Sequence, residues 1–297
     1  MTKKRYIFLL LATVCCFGCS TKKNTWATRT FHTTTTRYNI HFNATNSFNE
    51  GIRNMEKAHK DDFSQLLPLF PISVHENGQA IAANMDVTIE KCRKSIKQHS
   101  IKAKPKRNPK KLKDPKYQNF LKQEEFNPMI KKAWILLGQA EFHKSSFMES
   151  VSTFFYIIRH FSTEPEVVTE SRIWIARGYA EMGWLFEAEE SLEKINENDV
   201  TQRLTPLFAA TKADLLLKRN RGKEAIPFLE VAADKEKNKY QRMRFNYVLG
   251  QLYLLENSPQ KALERFNLVV KSNPEYLFKF NAQLNALQIE TKHPDKA

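Results

Sequence analysis

Two series of small residues repeat at nearly one interval in the second half of this 297-residue chain. The first series is Gly138, Ala176, Ala213 and Gly250, and the second is Ser150, Ala188, Ala225 and Ala262. Both series advance by 38, 37 and 37 residues. Two independent markers that keep one spacing indicate a repeated unit. The fold is therefore limited to an array in which stacked units cover one another.

Each unit contains two amphipathic helical stretches joined by a short polar turn. A small residue lets the facing helix approach closely, while larger side chains fill the groove beside it. The residues that suit this filling role recur four positions after the second marker, at Phe154, Leu192, Leu229 and Phe266. A single helical hairpin cannot bury both of its faces. The pattern therefore predicts an all-α solenoid of stacked hairpins.

The fourth unit carries the most specific pattern, with Leu249-Gly250, Tyr253, Ala262, Phe266 and Pro274. This pattern resembles the tetratricopeptide repeat, although the interval is longer than the roughly 34 residues of that family. The resemblance implies a tetratricopeptide-like helical-hairpin solenoid over residues 129–292, with about four repeats and one unpaired helix. That last helix either begins a further unit of a longer array or caps the stack.

In the tetratricopeptide family, the first helices of the units line a concave groove that binds polypeptides. The positions that the resemblance places in this groove are Lys132, Ile135, Gln139, His143, Arg177, Asp214, Lys218, Arg244, Tyr247 and Gln251. Mixed charge combined with tyrosine suits a peptide or a protein loop, with tyrosine and arginine as anchors. The alternative is that these are ordinary solvent-facing helix positions.

The chain begins MTKKRYIFLLLATV, a basic start and an apolar run too short to span a bilayer, as in a secretory signal. The following CFGC resembles the lipobox of bacterial lipoproteins, although Cys16 stands where that motif usually has leucine. The resemblance implies a signal peptide over residues 1–18, a lipid on Cys19, and a Gram-negative envelope lipoprotein. Since Ser20 rather than aspartate follows, the periplasmic face of the outer membrane is the expected location. The alternative is an ordinary signal peptide with accidental cysteines.

Between the lipid site and the repeats, the sequence predicts three regions. Residues 24–43 are threonine-rich, and their β-branched side chains predict an extended chain. Residues 19–44 are therefore expected to form a lipidated, extended tether, an N-terminal segment that precedes the solenoid. Residues 45–100 predict a helical region, with helices over 47–60 and 85–99 and a proline-broken apolar loop at 66–72 that packs on the array. Cys92 is expected to be a small apolar core residue.

Residues 101–128 form a basic, proline- and lysine-rich loop. Positions 102–116 hold eight Lys or Arg against the single acid Asp114, and three prolines there prevent a continuous helix. The loop is either an electrostatic docking strip for an anionic polymer such as peptidoglycan, or a solvated spacer with no partner.

The sequence does not favour catalysis. Only 8 glycines occur and no phosphate-cradling glycine motif is present, so nucleotide chemistry is disfavoured. The histidines are scattered, and no nucleophile, metal-ligand or acid–base motif stands out. The net charge of +15 suits anionic surfaces or acidic proteins, because an export signal argues against nucleic acid. We expect a non-enzymatic protein without cofactor or metal.

Several short marks occur together: the lipobox, then YNI and FN at residues 38–43, LLP and FP at 66–71, and EFNP at 125–128. Their order resembles the PorW/SprE-type lipoproteins of the type IX secretion system in Bacteroidetes. This resemblance implies a periplasmic scaffold for the protein components of a secretion and gliding-motility machine. The alternatives are a lipoprotein of outer-membrane β-barrel assembly and a peptidoglycan-binding envelope protein.

Overall fold

The computed structural model describes residues 20–292, and these residues form helices and loops without any β-strand. The all-α prediction is confirmed for this part of the chain. The α-helices in chain order are α1 Trp26–Thr35, α2 Phe42–Ala58, α3 His75–Ala80, α4 Ala82–His99, α5 Pro115–Lys122, α6 Pro128–His143, α7 Phe147–His160, α8 Pro165–Glu181, α9 Leu185–Glu193, α10 Thr205–Lys218, α11 Gly222–Lys235, α12 Lys239–Leu255, α13 Pro259–Lys271 and α14 Tyr276–Lys292. A π-helical turn, Thr36–His41, joins α1 to α2, and short 3₁₀ turns occupy Pro71–Ser73, Pro109–Lys111 and Glu197–Asp199.

The helices form two compact units that alternate along the sequence. Unit 1 contains the described residues up to Asn54 together with Ala80–Val168. Unit 2 contains Met55–Gln79 and the described residues from Thr169 onward. The first predicted hairpin therefore belongs to unit 1, and the other three belong to unit 2.

The two glycine markers lie directly against the filling ring of the same hairpin. A Cβ added to Gly138 would lie 2.7 Å from the ring of Phe154, and one added to Gly250 would lie 2.7 Å from the ring of Phe266. Both rings are fully buried. At the first hairpin, Ser150 donates a hydrogen bond from Oγ to the carbonyl oxygen of Gly138 at 2.8 Å. This bond satisfies a hydroxyl group at a position where the other hairpins have alanine.

The turn inside every hairpin repeats as well, which the sequence analysis did not predict. The residues with positive φ at these turns are Ser145, Gly183, Asn220 and Asn257. They advance by the same 38, 37 and 37 residues. At each turn, the amide of the next residue donates to the carbonyl five residues earlier: Ser146 to Glu141, Trp184 to Tyr179, Arg221 to Leu216 and Ser258 to Tyr253. This bond is typical of a Schellman ending, so one helix terminator recurs in all four hairpins.

The prediction of an extended chain over residues 24–43 is wrong. Helix α1 begins after Thr25, whose hydroxyl accepts from the amide of Thr28 at 3.2 Å, while the Thr28 hydroxyl accepts from the amide of Thr25 at 2.9 Å. The buried residues of this stretch are Thr28, His32, Thr36 and Ile40, spaced at helical intervals of four. Burial of one helical face in unit 1 thus outweighs the strand preference of threonine.

The predicted helix over residues 85–99 lies within α4. The predicted helix over residues 47–60 belongs to α2 but ends two residues earlier than expected, at Ala58. The Cys92 side chain is buried, and burial raises the pKa of its thiol to about 12, with a smaller contribution from the charge of Glu141. Its expected role as a core residue is confirmed.

The basic loop, residues 102–116, contains one 3₁₀ turn and the start of α5, where Pro115 takes the first helical position after the cap Asp114. All eight of its Lys and Arg side chains are exposed. The prediction that no continuous helix crosses residues 102–116 is confirmed. The prediction of a loop over the whole of residues 101–128 is wrong, because Asp114 caps α5 and Pro115 suits its first helical position.

Candidate functional site on the inner helix face

Residues 59–74, here called the inner segment, connect α2 to α3 and lie within unit 2. Apart from the turn Pro71–Ser73, this segment has no regular secondary structure. Leu67, Leu69, Phe70 and Ile72 are buried, and they lie against the first helices of the hairpins of unit 2. The prediction that residues 66–72 pack on the array is therefore confirmed. The helix surface that faces them carries the groove positions predicted from the sequence.

Arg244 is the central contact of this surface. Its guanidinium donates to both carboxylate oxygens of Asp61, from Nη1 to Oδ2 at 2.7 Å and from Nη2 to Oδ1 at 2.5 Å. Nε donates to the carbonyl oxygen of Pro68 at 2.9 Å. The two charged side chains are 0% and 3% exposed, so the pair is sheltered from water. A buried, bidentate pair of arginine and carboxylate is a strong hydrogen-bonded contact with a defined geometry.

Asp61 receives further support from His59, whose Nε2 lies 3.0 Å from Oδ1. Asn77 Nδ2 lies 2.8 Å from Nδ1 of the same ring and donates to the carbonyl oxygen of Pro71 at 2.5 Å. Burial alone would raise the pKa of Asp61. Hydrogen bonds from His59 and Arg244, together with the guanidinium charge, outweigh it and leave the pKa below its usual value.

Two glutamines of α12 hold the backbone of the inner segment. Gln251 accepts from the amide of Leu67 at 3.1 Å and donates to the carbonyl oxygen of Gln65 at 2.7 Å. Gln241 donates to the carbonyl oxygen of Leu69 at 3.0 Å. Together with the bond from Arg244 to Pro68, these contacts bind main-chain groups of four residues between Gln65 and Leu69.

Arg177 of α8 supports the aromatic part of the segment. Its guanidinium carbon lies 4.1 Å from the ring centroid of Phe70 and 4.5 Å from that of Trp174. Phe245 meets the other side of Phe70 edge-on at 6.0 Å. Burial lowers the pKa of Arg177 to about 10, against the opposing charges of Glu181 and Asp214, so the group stays protonated at neutral pH.

Lys218 of α10 binds the far end of the segment. Its Nζ donates to Asp214 at 2.7 Å and to Glu181 at 3.1 Å, and it lies 3.4 Å from the hydroxyl of Ser73. Ser73 donates to Glu181 at 2.9 Å. Burial raises the pKa of Glu181 in spite of Lys218, whereas for Lys218 itself burial is outweighed by the two carboxylates and the pKa rises.

Tyr247 was expected to anchor a bound polypeptide, and in the structure its ring packs against the inner segment. Phe63 of the inner segment meets Tyr247 edge-on at 5.4 Å and Phe278 of α14 at 5.1 Å. The Tyr247 hydroxyl accepts from Asn285 at 3.2 Å. Burial raises the pKa of Tyr247 to about 12, so this ring is neutral.

The four groove positions of the first hairpin lie in unit 1, where α6 packs against α4 and the π-helical turn. Lys132 is exposed, and Ile135, Gln139 and His143 are half-buried. The His143 ring meets Phe48 edge-on at 5.4 Å. The charge of Lys132 adds to burial in lowering the pKa of His41. The structure thus brings together the six groove positions of unit 2 around the inner segment, and it places these four elsewhere.

Sequence reasoning missed further residues of the site, namely His59, Asp61, Phe63, Asn77, Glu181 and Gln241. The acidic pair at residues 61–62 ahead of the apolar loop was the available signal for Asp61, but nothing local connects it with Arg244, which lies 183 residues away.

The chemical capacity of this surface is recognition of a polypeptide. It offers a guanidinium for a carboxylate, amide groups for a backbone, and a cation with aromatic rings for an aromatic side chain. In residues 20–292, no group of three His, Cys, Asp or Glu side chains comes together in a way that could hold a metal ion. No helix in this range is long and apolar enough to cross a membrane. The signal peptide and the lipid site predicted at Cys19 lie outside the described residues.

Comparison with known proteins adds no family. No protein-family model matches the chain, and no curated protein matches it significantly.

Proposed function

We propose that this chain is a non-enzymatic scaffold that binds other proteins through its helical hairpins. The observation that carries the proposal is the inner segment itself. The surface predicted to receive a polypeptide holds 16 residues of irregular chain through side chains of α8, α10 and α12. We further propose that the hairpins are tetratricopeptide-like, since their markers, fillers and turns share one interval close to that of this family.

Our proposal for the setting of this scaffold comes from the sequence. The lipobox-like CFGC and the ordered marks of the PorW/SprE type support a lipoprotein anchored by Cys19 at the periplasmic face of the outer membrane. There it would connect protein components of the type IX secretion and gliding machinery. Two or more acyl chains give stable attachment, because each buried methylene contributes about 0.8 kcal/mol.

Crosslinking followed by affinity purification from membranes tests the function. Recovery of secretion components, together with a secretion defect and an intact outer membrane, is the expected result. Recovery of barrel-assembly components with general loss of outer-membrane proteins would contradict it. Fatty-acid labelling tests the anchor, since the wild-type chain should be labelled and Cys19→Ala should not.

A second candidate function rests on one specific observation. The eight exposed cations of residues 102–116 form a basic strip that fits an anionic cell-wall polymer. Pull-down with purified peptidoglycan tests this binding, and salt should weaken it because exposed charges are screened. A variant that replaces the eight cations by glutamine should lose it. If peptidoglycan retains the variant as well as it retains the wild-type chain, the binding surface lies outside residues 102–116.

A further inference from the structure

The contacts that hold the inner segment depend little on which side chains the segment carries. Gln241, Gln251 and the Nε of Arg244 bind carbonyl and amide groups that every peptide has. The contacts that demand a particular sequence are the carboxylate bound by Arg244, the buried apolar side chains, and the polar side chains of His59 and Ser73. A surface of this kind is a peptide-binding site that is occupied by its own chain.

We propose that the inner helix face of unit 2 is an exchangeable site for peptides without regular secondary structure, and that the inner segment fills it as an internal ligand. The external ligand is a peptide that has one carboxylate followed by an apolar stretch with proline, as in Asp61 followed by LPLFPI at residues 67–72. This inference rests on the proposed scaffold function, and it names the chemistry of the partner and the step that controls its entry.

The spacing of the anchors defines the ligand. Arg244 binds the carboxylate of Asp61, and Arg177 contacts the ring of Phe70, nine positions later. The prolines at 68 and 71 fix the backbone angle φ at about −65°, so the free peptide has fewer conformations to lose on binding. A proline also has no amide N–H that would need an acceptor on the helix face, whereas its carbonyl oxygen can still accept a hydrogen bond. Pro68 accepts in this way from Nε of Arg244.

Exchange is feasible because the segment has one accessible side. Asp62, Ser64, Gln65 and Leu66 are exposed, whereas the residues from 67 onward are mostly buried. An incoming peptide therefore meets the exposed residues within 62–66 first. It gains the buried contact with Arg244 only after Asp61 and the apolar part have left. The internal copy competes at an effective concentration on the order of millimolar, so only a tighter or concentrated partner displaces it.

A binding assay with the full chain tests the exchange. The probe is a fluorescent synthetic peptide of residues 59–74, measured by anisotropy. Leu67→Ala weakens the internal ligand, because the Leu67 side chain is buried and only 2% exposed. Leu66→Ala is the matched control, because the Leu66 side chain is 41% exposed. The Leu67→Ala chain should bind the peptide at least ten-fold more tightly than either the unaltered chain or the Leu66→Ala chain.

The charge contact is tested with a second peptide that carries Asp61→Asn. It should bind the Leu67→Ala chain at least ten-fold more weakly, because one partner of a buried charge pair is then missing. Equal affinity for the two peptides, or no difference from a scrambled peptide, would overturn the proposal.

Hydrogen exchange on the unaltered chain keeps the test decisive if Leu67→Ala fails to fold. Millimolar peptide should raise the exchange rate of the Leu67 amide several-fold while the amides of α12 stay protected. An unchanged rate would refute the exchange. These measurements need no membrane and no cellular partner. If the peptide does not exchange but partner capture succeeds, the exchange proposal is wrong and the scaffold proposal stands. If the peptide exchanges but partner capture fails, the proposed cellular function is wrong and the exchange proposal stands.

Discussion

Gly250→Ala tests whether the hairpins depend on close approach at the small-residue markers. The added Cβ would lie 2.7 Å from both Cε1 and Cζ of Phe266, closer than real Cβ contacts allow. The ring is 0% exposed, so it is enclosed by protein and cannot simply turn out into solvent. We therefore expect the helices of the fourth hairpin to separate slightly or the ring to leave its preferred rotamer.

The expected cost follows from two opposing terms. Overpacking a well-packed core costs about 1–3 kcal/mol, while alanine in a helix interior is better than glycine by roughly 0.5–1 kcal/mol. The net result should be a loss of about 1–2 kcal/mol in the free energy of unfolding. Urea denaturation followed by far-ultraviolet circular dichroism measures it as a lower midpoint with an unchanged slope.

Gly222→Ala is the matched control. Its added Cβ would meet only Leu252 Cδ2, at 3.2 Å, which is the end of a flexible side chain. This variant should be as stable as the wild type or slightly more stable. Combining Gly250→Ala with Phe266→Leu should cost less than the sum of the two single changes, because the smaller side chain relieves the overlap. A Gly250→Ala chain as stable as wild type would refute the packing argument.

Three further predictions concern other parts of the chain. Because folding lowers the pKa of Asp61, its contribution to stability is complete above the unfolded value of roughly 3.9 and is lost as pH falls through the folded value. Asp61→Asn should lower the free energy of unfolding at pH 7 by about 3–5 kcal/mol in urea denaturation, because Arg244 stays buried without its counter-charge. The variant should also lose less of its remaining stability than the wild type as the pH falls below about 4. Asp62→Asn should change little. Cys92 should resist alkylation at pH 8 in the folded chain and react in urea, as followed by mass spectrometry of its peptide, since its thiol is buried with a pKa of about 12; rapid labelling without urea would contradict its place in the core. Asn257→Val should cost about 1–2 kcal/mol, because a β-branched residue tolerates φ of 52° poorly, and an unchanged urea midpoint would argue against the turn geometry.

The hairpins were predictable because their determinants are close together in the sequence. A small residue on the first helix and an aromatic ring sixteen positions later, such as Gly250 and Phe266, belong to one hairpin and meet by local folding. The turn residues were equally local. Ser145, Gly183, Asn220 and Asn257 could have been recognised from the same interval and from the tolerance of glycine and asparagine for positive φ.

The N-terminal half was predicted less well because its conformation depends on what it packs against. Threonine-rich residues 24–43 favour strands in isolation, yet Thr28 and Thr36 are buried on one helical face of unit 1. No property of that stretch by itself states that a partner surface exists. Tertiary burial therefore decided the secondary structure there.

The candidate site illustrates the same division. The resemblance to the tetratricopeptide repeat implied that Arg177, Lys218, Arg244 and Gln251 lie on the inner face, and this needs only the local helix pattern of each unit. It did not show that this face would be occupied by residues 59–74.

What the sequence determined by itself is the repeated hairpin, because each of its contacts joins residues separated by less than one repeat. What only the tertiary structure decided is the partner of that hairpin's inner face. Asp61 meets Arg244 across 183 residues, and a contact at such a distance is fixed by the packing of whole helices rather than by any local pattern.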